Sequence, residues 1–427
     1  MPPRPDGDED LASIPSGQTV AVADEEHRVT YEQLEGDTFR LRAAVPRGGI
    51  VVLRARRART VAAAIVALDG WAARVDLVGS LDLAPTPRES SVAVDDDSTA
   101  STPADRATSA PLEQVTDTRW RLFTSGTTGA PKPVDHSLSS LSRTVRSSSA
   151  VEGHRRWGLL YEPTRMAGIQ VVLQSLLGRD QLLDATGLPD LPARLRRLAA
   201  GSVDSLSATP TLWRQILQSA DPGALRLRQI TLGGEIADQR ILDALARTFP
   251  GARVTHVFAS TETGAAFSVS DGSEGFPRSF LDSPPRGIRL DVRDGVLFVE
   301  APHTSAAGPD GFASTGDLVT VTEDRVLFLG RASGIVNVAG VKVAPEQVER
   351  ALRDHADVAD AVVRPKRNPF SGWILTAEVV PAPGVVADGL PSRLRAAISD
   401  HLGSAHAPAS IKVVAQLATT TTGKAGR

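Results

Sequence analysis

Short apolar segments alternate with amphipathic helical patterns along most of this chain, and no other feature of the sequence constrains the fold as much. Between residues 120 and 257, apolar runs of strand length are interspersed with segments whose apolar residues recur at helical spacing. Helices are predicted at 138–149, 167–177, 191–200, 210–219 and 237–248, and strands at 120–123, 158–161, 229–232 and 253–257. Such alternation is typical of α/β proteins, in which helices cover a largely parallel sheet.

The N-terminal part adds two helices, a strand and a linker to this pattern. Residues 29–45 predict a helix with Thr30 as its N-cap, because a glutamine three residues later completes a capping box. A strand at 50–54 and a helix at 59–73 follow. Residues 85–111 are rich in Ser, Thr, Asp and Pro, and this composition predicts a surface loop or linker.

The pattern changes in the last third of the chain. Short strands separated by turns are predicted at 288–292, 296–300, 318–321 and 326–329. Helices at 344–353 and 391–402 and strands at 358–363 and 373–380 form a further α/β segment. We therefore predict an α/β fold with a large N-terminal domain (1–330), which includes a β-rich subdomain, and a small C-terminal α+β domain (331–427).

The composition excludes several classes of protein. The chain has no cysteine, so disulfides, thiolate metal sites and a cysteine nucleophile are all ruled out. A net charge of -3 gives no electrostatic reason to expect nucleic acid as a partner. The apolar run at 61–68 is too short to span a bilayer, and the acidic N-terminus lacks the apolar region of a signal peptide. We expect a cytoplasmic enzyme with neither nucleic acid nor membrane as a partner.

The strongest local signal is the segment LFTSGTTGAPK at 122–132, directly after a predicted strand. Gly, Ser and Thr leave backbone N–H groups and hydroxyls open to phosphate oxygens, and Lys132 adds a positive charge for the β- and γ-phosphates. It is not a Walker loop, because Pro131 occupies the position of the second glycine. The residues predicted to bind phosphate are Thr124, Ser125, Gly126, Thr127, Thr128, Gly129 and Lys132.

TSGTTGAPK resembles the signature loop of the adenylate-forming superfamily, which includes acyl-CoA synthetases, aryl-acid ligases, peptide-synthetase adenylation domains and luciferases. Further motifs of that family follow in the same order. LGGE at 232–235 follows a predicted strand and is similar to the family's adenine-side loop. The resemblance implies nucleotide contacts for Gly233, Gly234 and Glu235.

FASTETG at 258–264 resembles the family's aromatic-Gly-x-Thr-Glu segment, with Ala259 in place of the usual glycine. The resemblance implies adenine stacking for Phe258, a phosphate contact for Thr261 and Mg²⁺ coordination for Glu262. A carboxylate beside a triphosphate makes chemical sense only with a divalent cation between them, since Mg²⁺ binds through carboxylates and substrate phosphates.

STGDL at 314–318 resembles the family's Thr-Gly-Asp segment, whose aspartate accepts hydrogen bonds from both ribose hydroxyls, and this assigns that role to Asp317. A carboxylate suits a cis-diol because it has two acceptor oxygens and no donor.

In the segment at 330–349, the resemblance implies that Arg331 binds ribose and phosphate and that Gly340 lines a pantetheine tunnel. The hinge is implied at 331–334, where Ser333 replaces the usual Asp or Lys.

The chain ends in TTTTGKAGR, and in the family a Gly-Lys near the C-terminus supplies the lysine that catalyses adenylation. By resemblance that residue is Lys424. The sequence has only five lysines among its 47 basic residues. A lysine kept in such a chain indicates a position that requires a compact ammonium group instead of a guanidinium.

The resemblance implies a two-step reaction with ATP and Mg²⁺. The carboxylate of a small acid attacks the α-phosphate to form an acyl-AMP and release pyrophosphate, and the acyl group then passes to a thiol. That thiol belongs to CoA or to the phosphopantetheine arm of an acyl carrier protein. Because two anions must approach each other in the first step, positioning and charge neutralisation supply most of the catalysis.

The segment YEPTRMAG at 161–168 lies where relatives often have aromatic-His-x-x-Gly near the acyl pocket. Arg165 replaces the histidine and is a candidate partner for an anionic or polar group of the substrate, with Gly168 beside it. A surface arginine without this role is an equally good interpretation, given how many arginines the chain has.

Two alternatives stay open. The first is adenylation with an acceptor other than a thiol, namely an amine, nitrite or water, and the sequence does not separate these. The second is a non-catalytic nucleotide-binding homologue, although such a protein would have no need of Lys424. A P-loop ATPase, a kinase and a GxSxG hydrolase are excluded, because their motifs are absent.

Overall fold

The computed structural model describes residues 20–79, 91–96, 117–124, 132–143, 145, 153–260, 264–285, 288–300, 308–368, 372–419 and 424. Its internal contacts divide the chain into two units, Met1–Leu206 and Ser207–Arg427. Among the described residues, no helix is both long enough and apolar enough to cross a membrane.

The first unit alternates strands with helices. Its strands are β1 (Val20–Ala23), β2 (Arg28–Thr30), β3 (Ile50–Arg54), β4 (Arg74–Leu77), β5 (Ser91–Asp95), β6 (Arg119–Thr124), β7 (Lys132–His136), β8 (Arg156–Leu159), β9 (Gln181–Asp184) and β10 (Ser205–Ala208), which continues two residues past the division. Its helices are α1 (Tyr31–Ala44), α2 (Ala58–Leu68), α3 (Leu138–Leu141), α4 (Met166–Gly178) and α5 (Leu191–Ala200).

Mostly parallel strands form two sheets in this unit. One has the order β5-β3-β4-β6-β7, with only the β6–β7 pair antiparallel. In the other, β10, β8, β9 and β1 run parallel and β2 is antiparallel to β1. The core between strands and helices includes Leu53, Leu68, Trp120 and Leu173, each fully or almost fully buried. Burial on both faces explains why β3 begins with four consecutive apolar residues, IVVL.

The second unit contains the remaining elements. Its helices are α6 (Pro210–Leu217), α7 (Gln239–Thr248), α8 (Pro345–Asp354) and α9 (Leu390–Leu402). Its strands are β11 (Gln229–Gly233), β12 (Arg253–Ser260), β13 (Gly264–Val269), β14 (Phe276–Pro277), β15 (Arg289–Arg293), β16 (Val296–Glu300), β17 (Ala313–Val321), β18 (Arg325–Arg331), β19 (Val336–Val338), β20 (Val341–Val343), β21 (Val358–Asn368), β22 (Gly372–Pro381) and β23 (Ser410–Val413).

Three groups of strands organise this unit. β11 is parallel to β12, which is antiparallel to β13. The strands β14-β18-β17-β16-β15 form an antiparallel sheet, the predicted β-rich subdomain. The last sheet has the order β20-β19-β22-β21, with β23 parallel to β22, and it packs with α8 and α9 around a core of its own. The predicted α/β class is confirmed.

Several predicted elements are confirmed closely. The strand at 50–54, the helix at 191–200 and the strand at 296–300 have the predicted bounds. The capping box at the start of α1 is also present, because Thr30 Oγ1 accepts a hydrogen bond from Gln33 N while Gln33 Oε1 accepts one from Thr30 N. Local side-chain chemistry suffices for such a helix start, so the sequence reveals it directly.

Two predictions were wrong in part. Within the predicted linker 85–111, residues Ser91–Asp95 form β5, which pairs parallel with β3. Its alternation of buried Val92 and Val94 was the missed signal, hidden by the acidic run that follows. The helix predicted at 59–73 ends at Leu68, because Gly70 adopts a left-handed φ of 68°. The helix predicted at 138–149 is described only as the single turn α3.

Candidate active site

The LGGE motif forms the turn that leaves β11. Gly234 has a φ of 80°, a left-handed conformation that favours glycine. Glu235 turns back towards α6, where its Oε2 accepts a hydrogen bond from Thr211 N at 2.9 Å. This bond satisfies one of the free backbone N–H groups at the start of the helix. The bond thereby ties the turn after β11 to the N-terminus of α6.

Lys424 lies against this turn. A Cβ placed at Gly234 would lie 3.2 Å from Lys424 Cε and 3.8 Å from Lys424 Nζ. Burial raises the pKa of Asp317 and the ammonium group acts to lower it, so Lys424 lies within electrostatic range of that carboxylate. Three residues predicted from separate motifs (Gly234, Asp317 and Lys424) are therefore brought together within the second unit.

Asp317 and Arg331 form an ion pair across neighbouring strands. They are directly paired in the β17–β18 register, and Arg331 Nε lies 2.9 Å from Asp317 Oδ1. Arg331 Nη1 also donates to the Thr315 carbonyl oxygen at 2.6 Å. Burial raises the pKa of Asp317, and the Arg331 guanidinium and a hydrogen bond from Thr315 oppose this only in part. The pair thus places a carboxylate and a guanidinium side by side on two adjacent inner strands of the β-rich sheet.

A buried glutamate, Glu346, lies beside the predicted hinge and was missed by the sequence analysis. The hinge residues form a single 3₁₀ turn, Ala332–Gly334, after Arg331. A Cβ at Gly330, where φ is 141°, would meet Glu346 Oε2 at 2.9 Å, and one at Gly334 would meet the same carboxylate at 3.6 Å. Glu346 is 8% exposed, and its charge raises the pKa of Asp317. The signal available in the sequence was a glutamate in the first turn of an amphipathic helix. A glutamate at that position usually only interacts favourably with the helix dipole, so it did not indicate a site residue.

Gly340 forms the turn of the β19–β20 hairpin. Its φ is 90° and its backbone N–H donates to Asn337 Oδ1 at 2.7 Å. A Cβ at Gly340 would meet nothing within 4 Å, so the glycine is required here by backbone conformation and not by crowding.

Phe258 is part of an aromatic cluster. Its ring is stacked on Phe267, with centroids 5.2 Å apart, and on Phe328, with centroids 5.4 Å apart. Phe267, on β13, belongs to the hydrophobic cluster that includes the core of the β-rich subdomain, and Phe328 packs against that cluster. Since the protein itself supplies these stacking partners, adenine stacking on Phe258 stays a prediction.

The ends of the predicted phosphate loop are described in the first unit. Thr124 at the end of β6 pairs in register with Lys132 at the start of β7, so the loop connects two antiparallel strands. Lys132 is exposed. The five predicted residues Ser125–Gly129 lie outside the described residues.

Arg165 has partners of its own in this unit. Its Nε lies 3.1 Å from Glu162 Oε2, and its Nη1 donates to the Phe123 carbonyl oxygen at 3.2 Å. The side chain is 15% exposed. Gly168 lies close to the backbone of the preceding turn, because a Cβ there would meet the Glu162 carbonyl and lie 2.8 Å from Pro163 Cα. The glycine therefore allows α4 to pack against this turn.

The predicted magnesium ligand and its neighbour, Glu262 and Thr261, lie outside the described residues. Among the residues that are described, no group of three or more His, Asp or Glu side chains is arranged to hold a metal ion. The assignment of Mg²⁺ to Glu262 therefore stays a prediction.

Comparison with known proteins identifies the class of protein to which these features belong. A family model described as AMP-binding enzyme matches residues 39–295, and one described as AMP-binding enzyme C-terminal domain matches residues 347–424. The chain therefore belongs to the AMP-binding enzyme family, as its resemblance to the adenylate-forming superfamily predicts.

Curated relatives include acyl-CoA synthetases and peptide synthetases. The chain is 29% identical over 344 residues to the human mitochondrial acyl-coenzyme A synthetase ACSM2B, a match that covers 71% of this chain and 59% of the relative. It is 26% identical over 347 residues to a probable non-canonical nonribosomal peptide synthetase, CymA, of Salinispora arenicola, covering 72% of this chain and 4% of that protein. The chain thus spans less than two thirds of the length of these relatives.

Solved structures share the fold over nearly the whole chain. The anthranilate CoA ligase AuaEII in complex with anthranoyl-AMP superposes with a TM-score of 0.71 at 16% identity, covering 95% of this chain and 92% of that one. The amide bond synthetase McbA from Marinactinospora thermotolerans gives a TM-score of 0.69 at 20% identity, covering 95% of both chains. ATP-bound MatB from Rhodopseudomonas palustris gives 0.69 at 18% identity, covering 97% and 96%.

Proposed function

We propose that this enzyme uses ATP to convert a small carboxylic acid to its acyl-AMP, with release of pyrophosphate, and then transfers the acyl group to a thiol. The observation that carries the proposal is the position of Lys424, which lies against Gly234 and within electrostatic range of Asp317. An ammonium group at this turn has a chemical role if the turn holds a nucleotide.

Each motif has a distinct task in this reaction. Lys424 neutralises the approaching carboxylate and α-phosphate, and it stabilises the charge that develops as they join. Asp317 accepts hydrogen bonds from the ribose hydroxyls, and Arg331 donates to ribose and phosphate. Gly233, Gly234 and Glu235 form the turn against which the nucleotide lies, with Phe258 as the proposed adenine contact.

The phosphate loop and the metal complete the proposed machinery. Thr124, Lys132 and the loop between them hold the leaving pyrophosphate through backbone N–H groups, hydroxyls and one ammonium. Mg²⁺ bound at Glu262, with Thr261 beside it, would neutralise phosphate charge. The described residues fit a nucleotide at the ribose end, where an acceptor carboxylate and a donor guanidinium lie side by side.

The acyl-transfer step requires a second arrangement of the C-terminal domain. Lys424 and the thiol must both reach the acyl-AMP, and we propose that the domain that begins at residue 331 turns about 331–334 between the two steps. The proposed hinge contains the 3₁₀ turn Ala332–Gly334, which begins two residues after Gly330. Gly340, exposed at a hairpin turn, is the proposed contact for the pantetheine arm.

The acceptor and the acid are proposed by class. CoA or a carrier-protein phosphopantetheine is the preferred acceptor, because an acyl-coenzyme A synthetase and a peptide synthetase are among the relatives. An amine is the second candidate, because an amide bond synthetase shares the fold. For the acid, Arg165 is the proposed partner of an anionic group, which would share the guanidinium with Glu162.

The proposal is tested by ATP–pyrophosphate exchange against aryl, amino, dicarboxylic and short aliphatic acids. We expect exchange with one class of acid and a loss on the order of 100-fold in the Lys424→Ala variant. Lys412→Ala is the matched control, because Lys412 is an exposed lysine on β23. Exchange that survives in Lys424→Ala contradicts the assigned role of Lys424. Tight ATP binding without exchange for any acid favours the non-catalytic alternative.

A further inference from the structure

Four charged side chains in the second unit connect the segment matched by the AMP-binding enzyme model to the segment matched by the C-terminal domain model. Arg214 on α6 and Asp238 at the N-cap of α7 belong to the segment 39–295, and Arg353 on α8 and Asp360 on β21 belong to the segment 347–424. Arg353 Nε lies 3.2 Å from Asp238 Oδ2, Arg214 Nη2 lies 2.5 Å from the same oxygen, and Arg214 Nε lies 3.7 Å from Asp360 Oδ1. We call these four residues the Arg353 cluster.

The cluster is buried, so its charges depend on one another. The side chains of Asp238 and Asp360 are 7% and 4% exposed. Burial acts to raise the pKa of Asp238, but the Arg214 and Arg353 guanidiniums outweigh it and the pKa is lowered. Burial likewise acts to lower the pKa of Arg353, yet Asp238, with further carboxylates, raises it. Buried ion pairs of this kind matter most for which arrangement of the chain is favoured.

Each segment also contains a substitute partner for its own charges. Arg214 and Asp238 pair within the first segment. Arg353 lies 3.6 Å from Glu349 Oε2 and donates to the Ala361 carbonyl oxygen at 3.0 Å, both within its own segment. If the segments separate, Arg214, Asp238 and Arg353 each keep a partner, and Asp360 keeps the hydrogen bond that it accepts from Ala361 N. The cluster therefore favours one arrangement without making the other prohibitively costly, as a reversible two-state element requires.

The cluster is also connected to the candidate active site. Glu235 of the LGGE turn raises the pKa of both Arg353 and Asp360, which places its carboxylate within electrostatic range of both. Gln215 on α6 donates to the Leu417 carbonyl oxygen at 3.0 Å, and Leu417 lies shortly before Lys424 in the chain. The same contacts that join the segments thus lie beside the turn against which Lys424 is placed.

We propose that the Arg353 cluster holds the C-terminal segment in the orientation that places Lys424 against Gly234, so that Arg353 is a positioning residue for acyl-AMP formation and is released for acyl transfer. The proposal rests on the proposed function, because it assumes two half-reactions with different arrangements of this segment. Loss of the cluster's charges should slow the first half-reaction and leave the second unchanged or faster, an effect that a merely stabilising ion pair would not have.

The orientation is measured first, without any substrate. The chain has no cysteine, so cysteines introduced as Ala246→Cys on α7 and Ala396→Cys on α9 are the only sites that a thiol-specific spin label can modify. Both positions are exposed.

In this labelled background we compare Arg353→Gln and Asp238→Asn with the parent. Asparagine still caps a helix, so Asp238→Asn removes charge while retaining the hydrogen bond to Ile241 N. Arg393→Gln is the matched control, because its ion pair with Asp357 lies within the C-terminal segment.

We expect one interlabel distance in the parent and in Arg393→Gln, and a second, longer-distance population in Arg353→Gln and Asp238→Asn. An unchanged distance distribution in both cluster variants overturns the proposal. If Arg353→Gln does not fold, Asp238→Asn alone decides the outcome.

The two half-reactions are then timed separately with the acid that supports exchange. We expect kcat for acyl-AMP formation to fall about tenfold in the cluster variants, with little change in KM for ATP and no decrease in the rate of acyl transfer. Equal slowing of both steps would indicate a structural role and contradict the proposal. If the parent catalyses exchange with no acid, the proposed function fails, and the distance measurement still decides whether the cluster sets the orientation.

Discussion

Lys424 lies against Gly234, with its Cε 3.2 Å from the point that a Cβ would occupy. The two residues are almost 200 positions apart. Glycine is favoured at position 234 for two reasons, because its φ is 80° and because a Cβ there would lie close to the lysine side chain. A methyl group at this position would push the lysine side chain aside by a few tenths of an ångström.

Gly234→Ala is therefore expected to reduce acyl-AMP formation about tenfold, since a displacement of roughly 1 Å costs about 100-fold and the shift here is smaller. Gly251→Ala is the matched control, because Gly251 has a φ of 92° and nothing within 4 Å of a Cβ. Both variants should lose about 1–2 kcal/mol of unfolding free energy through backbone strain. Equal exchange activity in the two variants would contradict the assigned contact.

Asp317→Asn is expected to weaken ATP binding by about 2 kcal/mol, because ribose hydroxyls bind a carboxylate more strongly than an amide. The same variant should unfold at the same temperature as the parent or a higher one. Burial raises the pKa of Asp317, so the ionised carboxylate disfavours the folded state once the pH exceeds that pKa. Titration calorimetry and thermal unfolding measure the two effects. A less stable variant with unchanged ATP affinity would assign Asp317 a structural role only.

Arg165→Ala is expected to lower the preference for acids that carry a second carboxylate. Glu162→Gln should have the opposite effect, because it removes the carboxylate that lies 3.1 Å from Arg165 Nε and leaves the guanidinium to the substrate. Competition between dicarboxylic and monocarboxylic acids in pyrophosphate exchange measures the preference. If neither variant changes it, the contacts of Arg165 with Glu162 and Phe123 are its whole role.

Stability at acid pH should depend on His256, two residues before Phe258 on β12. Burial lowers its pKa from the ordinary 6.5, and its Nε2 lies 3.1 Å from the Ser273 carbonyl oxygen. The unfolded chain then binds a proton more readily than the folded protein, so unfolding free energy falls as the pH decreases below about 6.5. Urea unfolding between pH of about 7.5 and about 5.5 should show a smaller decrease for His256→Gln than for the parent. The exposed His401→Gln is the control, and an equal effect of both variants would contradict the assignment.

Local chemistry explains what the sequence predicted well. A capping box depends on residues three positions apart, so the start of α1 was evident from Thr30 and its glutamine. The strand β5 was missed, because its membership of a sheet depends on pairing with β3, some forty residues earlier in the chain. A run of serines and aspartates around two valines carries little local preference, and the tertiary pairing decides its structure.

The amino-acid sequence by itself indicated the enzyme family, because motifs such as TSGTTGAPK and TGD consist of residues that are neighbours in the chain. Only the tertiary structure decided which distant groups meet. It placed Lys424 at Gly234, paired Arg165 with Glu162, and stacked Phe258 on Phe267 and Phe328. It also revealed the Arg353 cluster, whose members occupy four different elements and show no common pattern in the sequence. Charges are buried together only when folding brings their elements into contact, and no local spacing records that.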